Sequence, residues 1–418
     1  MQLERAKGTE DFPPEKKILR NEIIEKLKKV FERYGFNPLE TPILERYSTL
    51  SAKYAGGSEI LKETFRLKDQ GNRELGLRYD LTVPLARFIA MNPQIGFPFK
   101  RYQIEKVFRD GPVTKARIRE FWQCDVDIVG VKSLLADVEI IQLALDALKE
   151  LGLECTIKIN NRKLLNEIIS SVNIKNDPND VILCIDKLYK LGQDVVEKEL
   201  KEKGVATEQI ASIMSIITIK GSNKEKQEKL QKKIPEGEGL QEIQEVLKYC
   251  KENVEFDITL ARGLSYYTGT VFEIVLKDKS LGCSLGGGGR YDNMIGGFAD
   301  RDEISAVGIS FGLEPIFTVL ENLGKAKKTT TQIYIIPINT IKQSLDLTQK
   351  LRNKGLNVDL DINERNISKN LNYANKNEIP YVIFLGEDEV KKKKVKLRNM
   401  KTGKEIFLSI NDVVKKIV

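Results

Sequence analysis

The 418-residue chain contains no histidine. That absence excludes the Ser-His-Asp triad, papain-like thiol chemistry, the HExxH zinc site and every imidazole base. Chemistry is left to Arg, Lys, Asp, Glu, Tyr, backbone amides or a bound ion. Cysteine is sparse. Cys124, Cys155, Cys184, Cys250 and Cys283 are far apart, odd in number and form no CxxC pair. This reads as a reducing, cytoplasmic protein without disulfides or a zinc site. No stretch approaches the ~18 apolar residues of a membrane span. No apolar run follows a basic start, so no secretory signal is expected. There is no Walker A sequence either.

What is present is unevenly charged. The net charge is +8. Residues 331–418 hold 17 Lys and Arg against 10 Asp and Glu, a net +7. The preceding 330 residues are therefore close to neutral. A small basic C-terminal piece suits an acidic partner, nucleic acid being the commonest. A solvated lysine-rich surface is the other reading. The length predicts two or three domains.

Apolar residues at helical spacing (Leu19, Ile23, Leu27, Val30, Tyr34) predict a helix over 15–34, stopped by Gly35. Pro38 and Pro42 in the next segment demote it to an edge or interrupted strand. RYQIEKVFR (101–109) and REFWQCDVDIVG (119–130) predict an antiparallel hairpin with a long basic loop. In its second strand, Glu120, Trp122, Cys124, Val126 and Ile128 form a core-like face. Arg119, Phe121, Gln123, Asp125 and Asp127 form the other, too polar for a core and suited to the floor of a polar pocket. A helix is predicted over 133–151, with Ser133 as N-cap and Gly152 as stop. Residues 163–250 read as an inserted, charged helical segment, and 322–331 as a linker. Beyond the linker, strands and helices alternate as a small α/β unit with mostly parallel strands.

Four short stretches carry potential chemistry. LARGLSYYTGTVFEI (260–274) sets Arg262 among small, apolar and aromatic residues, where an unpaired guanidinium is costly to bury. It either snorkels to water or awaits an anion. SLGGGGRYD (284–292) lets backbone approach a ligand or a neighbouring strand closely. A bare glycine run serves turns and bulges as well, but Arg262, Tyr266, Tyr267 and Tyr291 accompany this one. In LGLRYDLTVPLARF (75–88), Asp80 and Thr82 stand two apart, as on one strand face, where they suit an ammonium group or a simple turn. Arg109, Arg117 and Arg119 surround one hairpin and suit phosphate oxygens or solvent.

Together these stretches resemble the class II aminoacyl-tRNA synthetases, specifically the histidyl-tRNA synthetase family. ETPILE (40–45) resembles the first class motif, with Pro42 as its interface proline. FRDGPVTKARIREFWQCDVDIVG (108–130) resembles the second and AVGISFGLEPI (306–316) the third. LARGLSYYTGTVFEI and GGGGRYD resemble the two signatures particular to histidyl enzymes. All five occur in order between residues 7 and 316.

The resemblance implies an α+β fold. Residues 1–325 would be an antiparallel-sheet catalytic domain carrying the helical insertion at about 163–250. Residues 331–418 would be an α/β anticodon-binding domain. The implied activity is ATP-dependent attachment of L-histidine to its tRNA through histidyl-adenylate, with Mg²⁺, in a cytoplasmic homodimer without membrane association. Arg109 and Arg262 would be catalytic. Asp80, Thr82, Gln123, Asp127, Arg262, Tyr266, Tyr267 and Tyr291 would bind histidine. Arg109, Arg117 and Gly312 would bind ATP, and no protein metal cluster is implied. Lys391–Arg398 is a candidate for tRNA backbone contact, a solvated hairpin edge being the other reading.

The chain departs from the family pattern in three places. Pro315 replaces the arginine of the third motif, Gly111 an acidic residue of the second, and Ser265 an aspartate. Two other classes therefore stay in view. One is a non-catalytic, histidine-sensing regulatory subunit. The other is a nucleic-acid-binding accessory subunit, which should have lost Arg109, Arg262 and the pocket. The absence of histidine is either a compositional accident or a feature that lets such a chain be translated when charged histidine tRNA is scarce.

Overall fold

The computed structural model describes residues 3–52, 61–114, 117–250, 252–263, 266–278, 284–300 and 303–417, with Lys190 described by its main chain only. Ser265 and Cys283 lie outside the described residues. The chain forms two compact units, Met1–Glu10 with Ile23–Val319, and Asp11–Glu22 with Leu320–Val418.

An eight-stranded sheet dominates the first unit. Its strands are β1 (Asn37–Pro38), β5 (Phe99–Phe108), β6 (Glu120–Val129), β7 (Cys155–Asn161), β8 (Val254–Phe256), β9 (Thr270–Leu276), β10 (Gly286–Arg290) and β11 (Ala306–Gly312), in the order β1-β5-β6-β11-β10-β9-β7-β8. The five inner pairings are antiparallel. Only β1 with β5 and β7 with β8, at the two edges, run parallel. The proline-bearing segment thus supplies an edge strand of two residues, since proline cannot donate to a ladder. A small sheet of β2 (Leu44–Arg46), β3 (Arg66–Lys68) and β4 (Glu74–Leu77) has the order β2-β4-β3.

The predicted first helix spans Pro14–Arg33, and Gly35 follows at φ 77°, a left-handed conformation that glycine adopts without strain. Leu19, Ile23, Leu27 and Val30 are buried. Phe31 also belongs to the core, its ring 5.7 Å from both Tyr102 and Phe311. Tyr34 stands at the rim instead, its hydroxyl donating to Asp146 at 2.7 Å. The next predicted helix forms at Leu135–Glu150, with Leu134 rather than Ser133 as its flanking residue. Ser133 Oγ accepts from the Leu135 N–H at 3.3 Å, one residue early for a cap.

Parallel neighbours such as β7 and β8 need a long crossover. Here the crossover is helical: Arg162–Ser171, Pro178–Ile185, Leu188–Leu191, Gln193–Glu202, Thr207–Ile217, Asn223–Gln231 and Glu238–Tyr249. Leu164, Ile168, Val181, Ile213, Leu240 and Ile243 are buried, giving this charged segment an apolar interior.

The C-terminal sheet contains β12 (Ile333–Pro337), β13 (Val358–Leu360), β14 (Tyr381–Leu385), β15 (Val395–Asn399) and β16 (Glu405–Leu408), in the order β13-β12-β14-β15-β16. Its core strands bury both faces, Ile333, Ile335, Ile383 and Leu385 on one and Tyr334, Ile336, Val382 and Phe384 on the other. Such strands read as unbroken apolar runs. The sheet is mixed rather than mostly parallel. β12 pairs in parallel with β13 and β14, while β14-β15 and β15-β16 are antiparallel. Lys391–Lys394 are exposed before β15 begins.

Candidate active site

A cavity of about 240 Å³ opens over the middle of the large sheet. Gln123, Asp125 and Asp127 line it from alternate positions of β6, as the period-two reading predicts. Cys124, Val126 and Ile128 are buried on the opposite face. The neighbouring strands contribute backbone more than side chains. Gly308 pairs with Asp127 and with Gly289, and Gly288 with Ile309. A Cβ on Gly288 would stand 2.0 Å from the Gly308 carbonyl oxygen. The glycine run therefore lets strands pack closely in the sheet itself and is not a turn.

Gln123 Nε2 donates to Ser310 Oγ at 2.9 Å, while its Oε1 is buried without a partner. Asp127 is anchored from two sides. Tyr291 OH donates to its Oδ1 at 2.5 Å, and Arg101 Nη2 pairs with its Oδ2 at 2.8 Å. Arg101 is fully buried beneath the floor and also donates to the Leu81 carbonyl at 3.1 Å. Burial still raises the Asp127 carboxyl against the opposing charge of Arg101. Asp125 is less well compensated. Burial pushes its carboxyl up to about 7, against Arg101 and reinforced by Asp127.

Asp80 and Thr82 line the same cavity, but not from a strand. β4 ends at Leu77, and Thr82 opens the helix Thr82–Met91. Asp80 Oδ1 accepts from the Val83 N–H at 3.0 Å, competing with extended pairing as short polar side chains do at helix starts. Burial raises the Asp80 carboxyl, opposed by that N–H and by Arg109.

Two arginines face these carboxylates. Arg109 lies between aromatic rings, 4.2 Å from the Tyr79 centroid and 4.9 Å from that of Phe121. Arg262 is half-buried, and Nη1 donates to the Phe272 carbonyl at 3.0 Å. Burial opposes its charge, but the fields of Tyr267, Glu273, Tyr266 and Asp186 outweigh that. Neither arginine has an ion-pair partner among the described residues. Both are placed to receive an anion from the cavity. Tyr266 and Tyr267 stand 4.8 Å apart, Tyr266 meets Tyr291 edge-on at 6.2 Å, and burial raises all three hydroxyls.

Two of the expected ATP-binding residues do not line the cavity. Arg117 is half exposed and grips Glu63 at 2.5 Å. Gly312 ends β11, where an added Cβ would lie 2.8 Å from the Pro315 ring. Pro315 sits in the first turn of Leu313–Asn322, where a missing N–H costs nothing. The Glu63 carboxylate lies against Gly111, the position where the second motif lacks its acid. Among the described residues no three His, Cys, Asp or Glu side chains gather as a metal cluster.

The sequence reading missed Tyr79, Arg101 and Ser310, and did not single out Asp125 as a site residue. Hairpin register held the signal for Arg101, which pairs directly across from Asp127. Nothing local marks Ser310, which arrives from β11.

Residues 8–316 match the family described as histidyl-tRNA synthetase, and residues 332–418 the family described as anticodon binding domain. The chain is 47% identical over 423 residues to histidine--tRNA ligase 1 of Bacillus cereus, covering 99% of each chain. It is similar to the crystal structure of histidyl-tRNA synthetase from Nostoc sp. PCC 7120, with a TM-score of 0.88 and 30% identity, covering 100% of this chain and 99% of that one. A Bacillus halodurans structure described as an ATP phosphoribosyltransferase regulatory subunit/histidyl-tRNA synthetase shares the fold, with a TM-score of 0.76 and 24% identity, over 92% of this chain and 98% of that one.

Proposed function

This chain belongs to the histidyl-tRNA synthetase family, and from that premise we propose that it attaches L-histidine to histidine tRNA at the expense of ATP. In the first step a carboxylate oxygen of histidine bonds to the α-phosphorus of ATP. The bond from that phosphorus to the bridging oxygen breaks, and pyrophosphate leaves. In the second step a terminal ribose hydroxyl of the tRNA attacks the acyl carbon, releasing AMP and a proton. Neither step requires an imidazole base, because phosphoryl transfer depends on positioning and charge neutralisation.

One observation carries the reading. A single cavity sets Asp80, Thr82 and Gln123 against two arginines that have no carboxylate bound among the described residues. The acidic wall suits an amino acid's ammonium. Arg262 and Arg109 suit its carboxylate and the phosphate it attacks, and hold the charge that develops there. Asp127, Tyr266, Tyr267 and Tyr291 close the side-chain end. Arg117 and the β11 end near Gly312 serve the outer part of ATP, with Arg117 exchanging Glu63 for phosphate. Mg²⁺ enters as the counterion of those phosphates, since it favours phosphate oxygens and one or two carboxylates over an all-protein cage.

Residues 331–418, with exposed Lys391–Lys394, contact the anticodon end of the tRNA. Residues 1–325 form the catalytic domain, and the helical crossover at about 163–250 faces the tRNA acceptor arm. Exposed Pro42, Ile43 and Leu44 suit the self-complementary contact of a homodimer. No helix among the described residues is long and apolar enough to cross a membrane. Work on tRNA as a member of this family suits the cytoplasm. A regulatory subunit is not favoured, because full-length relatives are named ligases.

ATP–pyrophosphate exchange with Mg²⁺ and each of the twenty amino acids tests the reading. Exchange with histidine alone is expected. Histidine binding without exchange would transfer the chain to the sensor class, with Pro315 as the reason.

A further inference from the structure

We propose that Asp186, in the helical crossover, is a positioning residue that holds Arg262 in place for its work on the substrate. This role rests on the adenylation proposed above. It gives a segment outside the cavity a direct hold on the cavity's arginine.

Arg262 belongs to the loop between β8 and β9. The residues before it are fastened from β7. Lys158 Nζ pairs with Asp257 at 2.6 Å, and Asp257 Oδ1 accepts from the Thr259 N–H and hydroxyl at 3.0 and 2.6 Å. Asn160 is fully buried and donates to the carbonyls of Ile258 and Leu260 at 3.0 and 2.8 Å. One residue beyond Arg262 the crossover makes contact. A Cβ on Gly263 would stand 3.4 Å from Asp186 Oδ2 and 3.5 Å from Leu183 Cδ2, both ordinary contact distances. The arginine thus sits between a flank held by the sheet and a flank held by the crossover.

The charge of Asp186 points the same way. It ends the helix Pro178–Ile185, where a carboxylate opposes the helix dipole. Its own helix therefore gains nothing from that charge, whereas Arg262 does. Burial opposes the Arg262 charge, and Asp186 joins Tyr267, Glu273 and Tyr266 in the field that outweighs it. A guanidinium that must meet a carboxylate and a phosphate at once depends on such support, since small displacements cost rate steeply.

The test is a double-mutant cycle on histidine-dependent ATP–pyrophosphate exchange, with wild type, Asp186→Ala, Arg262→Gln and the pair. Asp186→Ala is expected to lower kcat about 10- to 100-fold, with the ATP KM within about twofold. In the Arg262→Gln background the same change should alter kcat by less than about twofold, because Asp186 acts through Arg262. Asp186→Asn keeps the side-chain volume, and should show the same pattern at smaller amplitude with the thermal transition within about 2 °C of wild type. It decides the matter should the alanine variant fail to fold. An unchanged kcat, or an equal loss in both backgrounds, overturns the proposal. Calorimetric titration of histidine separates this outcome from failure of the broader reading. If wild type exchanges with no amino acid but binds histidine, affinity replaces kcat in the cycle: weakening only when Arg262 is present supports the proposal, and equal binding or additive losses overturn it. A wild type that does neither overturns both.

Discussion

Arg290 and Asp137 lie 153 residues apart and form a buried ion pair behind the cavity. The Arg290 guanidinium also donates to the carbonyls of Val131 and Ser133 at 3.0 and 3.2 Å, and to Asp292 at 3.3 Å. One side chain thus ties the end of β10, and with it Tyr291, to the start of the helix Leu135–Glu150. Removing one partner of such a pair leaves a buried charge uncompensated. Arg290→Ala should destabilise the first unit by about 3–5 kcal/mol. Arg290→Lys should recover little, because an ammonium cannot reproduce the fork. Replacing both, Arg290→Met with Asp137→Leu, should restore much of the loss. Urea denaturation followed by circular dichroism checks the order, and equal stability of Arg290→Ala and wild type would refute it.

Arg262 is the second target. Arg262→Gln keeps most of the side-chain volume and a donor toward the Phe272 carbonyl but removes the charge. Histidine-dependent exchange should lose about 100- to 1000-fold in kcat with the thermal transition nearly unmoved. A loss confined to KM would mean that Arg262 binds ground state and transition state equally and does not act on the developing charge.

The glycine run permits a contrast between neighbours. A Cβ at Gly288 meets only backbone, the Gly308 carbonyl and Ile309 Cα at 2.0 and 2.7 Å, so the β10–β11 pairing must open. Gly288→Ala should cost about 3 kcal/mol in stability. A Cβ at Gly287 falls 1.8 Å from Arg262 Nη1. Gly287→Ala should displace that guanidinium by about 1 Å and lower kcat about 100-fold, at a smaller cost in stability. Parallel losses in both variants would contradict the assignment.

Asp125 makes stability depend on pH. Its folded carboxyl titrates near 7, above the ordinary 3.8. Between these values the native state holds a proton that the unfolded chain has released. Its contribution to stability is therefore fully present below about pH 4 and lost as pH rises through 7. Arg101 opposes this shift, while Asp127 and Asp80 reinforce it. Asp125→Asn removes the titration. Its melting temperature should exceed that of wild type by about 3 °C or more at pH 8, with the difference closing toward pH 4. A difference independent of pH would sink this account.

The sequence by itself determined the parts whose cause is local. Period-two alternation on β6 separated the Cys124 face from the Gln123–Asp127 face, because strand geometry fixes side-chain direction within a few residues. Helical spacing and Gly35 bounded the first helix for the same reason. The order of the motifs, from ETPILE to AVGISFGLEPI, pointed to the family. Asp80 and Thr82, read from the sequence as a pair on one strand face, line the cavity from a helix start instead, since the Val83 N–H that ends the strand reading is visible only once the helix forms. Antiparallel pairing of β15 and β16 was likewise hidden, because a strand's partner is chosen by packing and not by its own residues. Only the tertiary structure decided how charge is distributed in the site. Arg101 beneath Asp127, Glu63 on Arg117 and Asp137 on Arg290 join segments distant in sequence. Coulomb energies depend on separations of a few ångströms and on burial, and neither exists until the sheet assembles. That is why the sequence could name Asp127 as a candidate site residue, and only the folded sheet could set it between Arg101 and Tyr291.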